Sequence, residues 1–133
     1  MGANGDIIKG LYDAFARGDV GAVLGALDPA IEWREAESIR YAKGNPYVGP
    51  SAVAQGVLMT LATSIDNFAV VSAGVIDGGE MVAAEGRYTG TVKSTGTPLD
   101  AQFVHVFELR AGKIVKFRQY TDTLQWARAL GDV

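Results

Sequence analysis

The only histidine of the chain, His105, lies in the stretch QFVHVFELR. It stands between Phe103 and Phe107, on the face where strict alternation calls for an apolar side chain. An imidazole titrates near 6.5 in water, so it can give or take a proton at neutral pH. Two uses fit it: a ligand-facing or proton-handling group, or a core residue satisfied by a backbone carbonyl or by Tyr88. Glu35 continues the inward phase of Ile31 and Trp33 in AIEWREAES, and Glu37 continues it one step further. A carboxylate held inside loses hydration, and its pKa rises unless it is paired. Such an acid suits proton abstraction beside a carbonyl, with His105 polarising the oxygen. If the strand ends or bulges near Glu35, both acids reach water instead.

Other polar side chains aim at the same place. Gln119 can orient a ligand but cannot move a proton at neutral pH. In MVAAEGRYTGTV one face carries Val82, Ala84, Gly86, Tyr88 and Gly90. Two glycines and an alanine leave volume that is either a cavity or a close backbone approach, and it is read as a cavity. Asp122 ends a pocket strand, yet Asp122-Thr123-Leu124-Gln125 is a capping-box pattern and reads as the start of a helix. One histidine and no cysteine cannot build a zinc site of the usual type, so no metal is expected. The glycines inside a strand make no phosphate loop, and no cofactor is expected.

These residues need elements to position them. Ile7, Ile8, Leu11, Tyr12 and Phe15 recur at helical spacing, with Asp6 as the expected cap and Gly18 as the stop. A second short helix follows Asp19 and ends at Asp28-Pro29. A strand over AIEWREAES leads through the turn-rich IRYAKGNPYVGP to a third helix, with Ser51 as its cap. The pattern then switches to period two for four strands, and a short helix closes the chain. The fold class is therefore α+β: a curved, mostly antiparallel sheet with three N-terminal helices over one face and a short C-terminal helix, expected as a single domain over 1–133.

The turn after Leu109 sets which residues share the cavity. A three-residue loop, Arg110-Ala111-Gly112, pairs Leu109 with Lys113, His105 with Phe117 and Phe103 with Gln119. A two-residue loop places His105 across from Arg118, which mixes the faces and is rejected. The last two strands are apolar on both faces, with Val104 and Val106 opposite Phe103 and Phe107. Helices cover one face, and a second copy of the sheet is expected to cover the other, giving a homodimer.

Twelve basic against fifteen acidic residues give a net charge of -3. With Lys and Arg scattered, nucleic acid is not an expected partner. No run approaches the ~20 apolar residues of a membrane span. The start MGANGDIIKG has no basic stretch followed by an apolar one, and a chain without cysteine suits a reducing compartment, so the cytoplasm is expected.

The stretches LYDAFARGDVGAVLGALDPAIEW, YVGPSAVAQGV and HVFELRAGKIVKFRQYTDT resemble the SnoaL-like and ketosteroid-isomerase-related group of the nuclear-transport-factor-two-like superfamily. The resemblance implies a cone-shaped α+β barrel with a deep apolar pocket, commonly dimeric, and covers nearly the whole chain. In that comparison the steroid isomerase's helix-1 tyrosine falls on Leu11, beside Tyr12. Its general-base aspartate falls on Trp33, and its proton-donating aspartate on His105. The acid that cyclases and epoxide hydrolases keep on the last strand falls on Gln119. The hydrolases' arginine and aspartate fall on Gly86 and Tyr88.

Two readings of function result. One is a cofactor-free cyclase, isomerase or related lyase acting on a small apolar carbonyl compound, with His105 as polar centre and Glu35 as base. The other is a small-molecule-binding or dimerisation module without chemistry. In both, Trp33, Tyr88, Gln119, Phe103, Phe117 and Tyr12 are expected to contact the ligand.

Overall fold

The first helix buries the stripe its periodicity announces. In the structure, a computed structural model that describes residues 2–133, α1 spans Ala3–Ala16 and hides Ile8, Leu11, Tyr12 and Ala14. Gly2 is its N-cap, so Asp6 sits inside the first turn, where an acid suits the positive end of the helix, and does not cap it. The stop is as expected: Gly18 takes a left-handed φ of 73° after Arg17. Helix α2, Val20–Gly25, is capped by Asp19, whose carboxylate accepts the Ala22 N–H at 3.0 Å.

Strand β1, Leu27–Arg34, begins earlier and ends earlier than its pattern suggests. Pro29 is tolerated because the pairing of β1 with its neighbour skips from Leu27 to Glu32, so no ladder donor is needed there. A 3-10 turn over Arg40–Gly44 and a short strand β2, Tyr47–Val48, follow. Helix α3, Pro50–Val53, runs through a π turn, Ala54–Leu58, into α4, Met59–Ser64. Its N-cap is Gly49 rather than Ser51; Pro50 takes the first helical position, where a missing N–H costs nothing. Four long strands complete the sheet: β3 Ile65–Asp77, β4 Met81–Val92, β5 Pro98–Arg110 and β6 Lys113–Thr121. Helix α5, Thr123–Leu130, closes the chain, capped by Asp122 through the Gln125 N–H at 3.2 Å.

The sheet order is β2-β1-β6-β5-β4-β3. The β1–β6 pair is parallel and the others are antiparallel. The sheet curves but stays open, with β2 and β3 as free edges, so the cone is not a closed barrel. One core cluster lies between its inner face and the helices.

The β5–β6 turn departs from the three-residue loop. Arg110 pairs with Lys113 across Ala111 and Gly112, both at positive φ (50° and 77°), the geometry of a two-residue type I′ hairpin. The mixing of faces that argued against this loop is repaired at once. Leu109 pairs with Ile114 and Glu108 with Lys116, so Val115 is an extra residue in a bulge. The result is that Phe107 lies opposite Phe117, His105 opposite Gln119 and Phe103 opposite Thr121. On the other side of the sheet Val71, Val104 and Tyr120 stay exposed, at 56%, 38% and 55%.

Candidate functional site

The bulge at Val115 brings His105 and Gln119 directly across from one another, and both are buried. Tyr12 reaches the imidazole from α1, its hydroxyl 2.6 Å from Nδ1. Tyr88 reaches it from β4, its hydroxyl bonded to Nε2. Gln119 donates from Nε2 to the Tyr88 oxygen at 2.8 Å, and its own oxygen accepts the Ala36 N–H at 2.9 Å. That last bond fixes which way the amide points. The Tyr88 oxygen already receives a hydrogen, so its own hydrogen goes to Nε2. Nδ1 then carries the ring proton and donates it to Tyr12. The opposite tautomer gives Tyr88 two donors and leaves over its hydrogen instead of that of Tyr12, at the more deeply buried of the two rings, 3% against 8% exposed. The order of donation is Gln119 to Tyr88 to His105 to Tyr12, and it leaves the Tyr12 O–H free at the end of the chain.

Burial holds the imidazole well below its ordinary pKa, at about 3, so it is neutral at physiological pH. Burial also pushes the Tyr12 and Tyr88 phenols up, so both remain hydroxyls. His105 is satisfied by two side chains rather than by main chain. Phe103 does not face the ligand space as expected: its ring stacks on His105 at 4.0 Å between centroids and fills the place beside Gly86.

The glycines of β4 do not open the cavity that their pattern suggests. A Cβ at Gly86 would collide with the Val71 carbonyl oxygen and with the Phe103 ring. One at Gly90 would come within 2.6 Å of Ile65. Both therefore serve close approach of β3, whose pairing with β4 shifts register beside each of them. They do not hollow out a chamber.

A cavity exists nonetheless, of about 60 Å³, roughly the liquid volume of two waters. Its polar wall is made by Tyr12, Glu35, Tyr88, His105 and Gln119, with Trp33 and Phe117 beside them. Most of the rest is apolar side chain from the helices and β3, including Leu11, Phe15, Val57 and Phe68. A wider concavity, of about 910 Å³, lies instead on the open sheet face and holds none of the proposed catalytic groups.

Glu35 lies just past the end of β1, keeps the inward phase and is buried. Its carboxylate accepts the Trp33 indole N–H at 2.9 Å, and the Trp33 ring stacks on Phe117 at 3.7 Å. Burial raises its pKa to about 7, with the indole bond pulling slightly the other way. Asn45 holds the main chain here: it accepts the Glu35 N–H and donates to the Glu35 carbonyl, each at 2.8 Å. Sequence reasoning placed Asn45 only in a turn-rich loop; its neighbour Pro46 marks a turn but not the partner of that turn. Glu37 is exposed, and Asp122 is a helix cap.

Both hydrogen bonding and charge thus divide the cavity. One end is a saturated neutral chain with a free hydroxyl, and the other is a sparsely bonded acid half-ionised near pH 7. Together they can take a proton from carbon and hold the oxygen that gains charge. Among the described residues no group of three His, Asp or Glu side chains converges to hold a metal ion. Nor is any helix long and apolar enough to cross a membrane.

The sequence model of the SnoaL-like domain matches residues 8–117. An NTF2-like protein of Burkholderia thailandensis E264 has 33% identity and a TM-score of 0.91, with 98% of each chain covered. TerC, co-crystallised with polyporic acid, shares the fold at 22% identity and a TM-score of 0.84, over 96% of this chain and 98% of its own. A proposed SnoaL-like polyketide cyclase of Jannaschia sp. CCS1 does so at 19% identity and a TM-score of 0.81, over 98% of this chain and 92% of its own. No curated protein sequence matches the chain.

Proposed function

This chain belongs to the SnoaL-like domain family, within the NTF2-like superfamily, and on that footing we propose that its interior catalyses cofactor-free proton transfer on a small apolar carbonyl compound, as an isomerase, cyclase or lyase step. The observation that carries this is the buried Glu35 on the wall of the same cavity as the Tyr12–His105–Tyr88 chain. Ionised Glu35 takes the proton from the carbon beside the carbonyl. The carbon–hydrogen electrons move into the new carbon–carbon double bond, and the carbonyl oxygen becomes an enolate accepting the Tyr12 O–H. Returning the proton to a different carbon gives isomerisation. Expelling a leaving group gives elimination. Neither needs an electron acceptor. His105 works through Tyr12, as the residue that turns the free hydroxyl toward the cavity. The polyketide cyclase and the polyporic acid complex among proteins of this fold support the substrate class.

The test is exchange of the α-protons of acetone, a carbonyl compound small enough for the cavity, in D2O, followed by NMR. Wild type should accelerate exchange over buffer, with a rate that rises with pH through about 7. Glu35→Gln should lose roughly 10²–10⁴-fold. A Glu35→Gln protein exchanging at the wild-type rate removes the acid from the reaction. It then favours the second reading, a binding module, which the doubly bonded, non-titrating His105 also fits.

We also propose that two copies meet through the open sheet face. Val71, Val104 and Tyr120 are exposed there among charges of both signs, such as the Arg87–Asp100 pair, 2.5 Å apart. A mixed-sign face is complementary to itself under a two-fold axis. Sedimentation equilibrium should give twice the chain mass for wild type and a monomer for Val104→Lys.

A further inference from the structure

The cavity is closed on its helix side by a thin apolar partition. Phe15, Val23, Leu58 and Phe68 line it from inside, and the same four side chains line a surface cleft of about 340 Å³. The outer rim of that cleft is made by Gly18 to Val20, Ala62 and Asn67. The interior offers only about 60 Å³. Most of the room available to an apolar molecule therefore lies outside the partition.

The partition also stands on irregular backbone. Leu58 is the last residue of the π turn between α3 and α4. Phe68 lies where the β3–β4 pairing shifts register between Asp66 and Ala69, directly after Asn67 at a left-handed φ of 54°. Phe15 comes from the last turn of α1, and its ring meets the Phe68 ring edge-on, 6.2 Å between centroids. Phe15, Leu58 and Phe68 are half-buried, unlike the core residues behind them. π turns and bulges lack the regular ladder that keeps neighbouring side chains in place, and they recur beside functional sites.

We propose that the cleft is a second subsite, and that Phe15, Leu58 and Phe68 part to let one elongated ligand span cleft and cavity. The ligand class is a small polar head, carrying one hydrogen-bonding oxygen, on an apolar tail longer than the cavity. The head meets Tyr12 and Glu35. The tail lies against Val20, Leu58 and Ala62, with its end near Asn67. This inference rests on the reading that the interior receives a ligand head.

The experiment titrates the full-length protein with phenol and its para-alkyl derivatives up to 4-hexylphenol. Calorimetry gives the affinity, and the imidazole 15N signals of His105, the chain's single histidine, report arrival of the head. In wild type the Kd should fall about fourfold per added methylene along the whole series. Ala62→Trp fills the cleft from an exposed helix position, and Val20→Trp does so from the opposite rim. Both should leave phenol binding unchanged and stop the gain after the shortest tails, so that 4-hexylphenol binds at least about tenfold more weakly than to wild type. If the series moves the His105 signals but both tryptophan variants follow the wild-type slope, the cleft is not a subsite and the interior reading stands. If no member moves the His105 signals, the interior takes no head, and the subsite falls with it.

Discussion

At one end of the cavity His105 has a tyrosine hydroxyl on each ring nitrogen; at the other, the Glu35 carboxylate has one indole N–H. Both groups are buried, and burial favours the neutral form of each. The consequences are opposite. Neutral His105 has one hydrogen to give and one lone pair to fill, and two hydroxyls meet that demand completely. Its titration is pushed far below physiological pH, and it becomes a fixed connector. Neutral Glu35 sits close to its ionised form near pH 7, so a small change around it decides whether it holds a proton. The residue whose type most suggests chemistry is thus tied up by its partners, and the residue with few partners is the one left free to exchange a proton.

The two ends should pull stability in opposite directions with pH. The unfolded imidazole binds a proton below about 6.5 while the folded one does so only below about 3, so its contribution is lost as pH falls through that window. Over the full window this is on the order of 5 kcal/mol. The folded carboxyl keeps its proton up to about 7 while the unfolded one releases it near 4.5, so stability is lost as pH rises between these values. That loss is on the order of 3 kcal/mol. In wild type the two trends oppose each other between about 4.5 and 6.5. Urea unfolding at a series of pH values should separate them: Glu35→Gln should show a rising slope alone, and His105→Gln a falling one. Parallel curves for all three proteins would mean that neither group carries the pH dependence of stability.

Within the saturated end the order of donation makes the two tyrosines unequal. Tyr88→Phe strands the His105 Nε2 lone pair and a Gln119 N–H, whereas Tyr12→Phe strands only the Nδ1 hydrogen. At roughly 1–3 kcal/mol for each buried group left unpaired, Tyr88→Phe should be the more destabilising. Tyr12→Phe should cost more in the exchange reaction. The 15N spectrum reads the same point without a mutation: Nδ1 should be the protonated nitrogen and Nε2 the bare one. The reverse assignment would turn the chain around and move the free hydroxyl from Tyr12 to Tyr88.

Much of this was legible as periodicity. The alternation of Phe103, His105 and Phe107 put the imidazole inside, and Asp122 read as a cap; the phase of Ile31 and Trp33 left Glu35 and Glu37 open between cavity and water, and of the two only Glu35 is buried. What periodicity could not carry is pairing between distant segments. Lys113-Ile114-Val115-Lys116 alternates equally well with or without a bulge, so the direct His105–Gln119 pairing was hidden. The parallel β1–β6 pair joins segments some eighty residues apart in the chain, and no local pattern marks it. Gly86 and Gly90 show the limit most plainly. A glycine in a strand signals missing side-chain volume, but only the neighbouring strand tells whether a void or a carbonyl occupies it.

The smallest effect should come from Asn45, and it is the one that separates position from polarity at the acid end. Asn45 touches the main chain of Glu35, not its carboxyl. Asn45→Ala therefore removes no charge and no bond from the reacting oxygens. It does release a backbone N–H and a carbonyl at the point where β1 has ended and no ladder partner replaces them. Stability should fall by about 1–2 kcal/mol, for two partly buried hydrogen bonds exchanged for water. Freed from that clamp, Glu35 gains access to solvent, and the midpoint of the pH–rate profile should move from about 7 toward the ordinary carboxyl range. Asn45→Asp is the control, since it restores an acceptor for the Glu35 N–H and adds a negative charge that raises the neighbouring pKa further. An Asn45→Ala profile still centred near 7, in a protein that has lost the expected stability, would mean that burial by Trp33 and Phe117 alone tunes the acid and that the clamp only closes the fold.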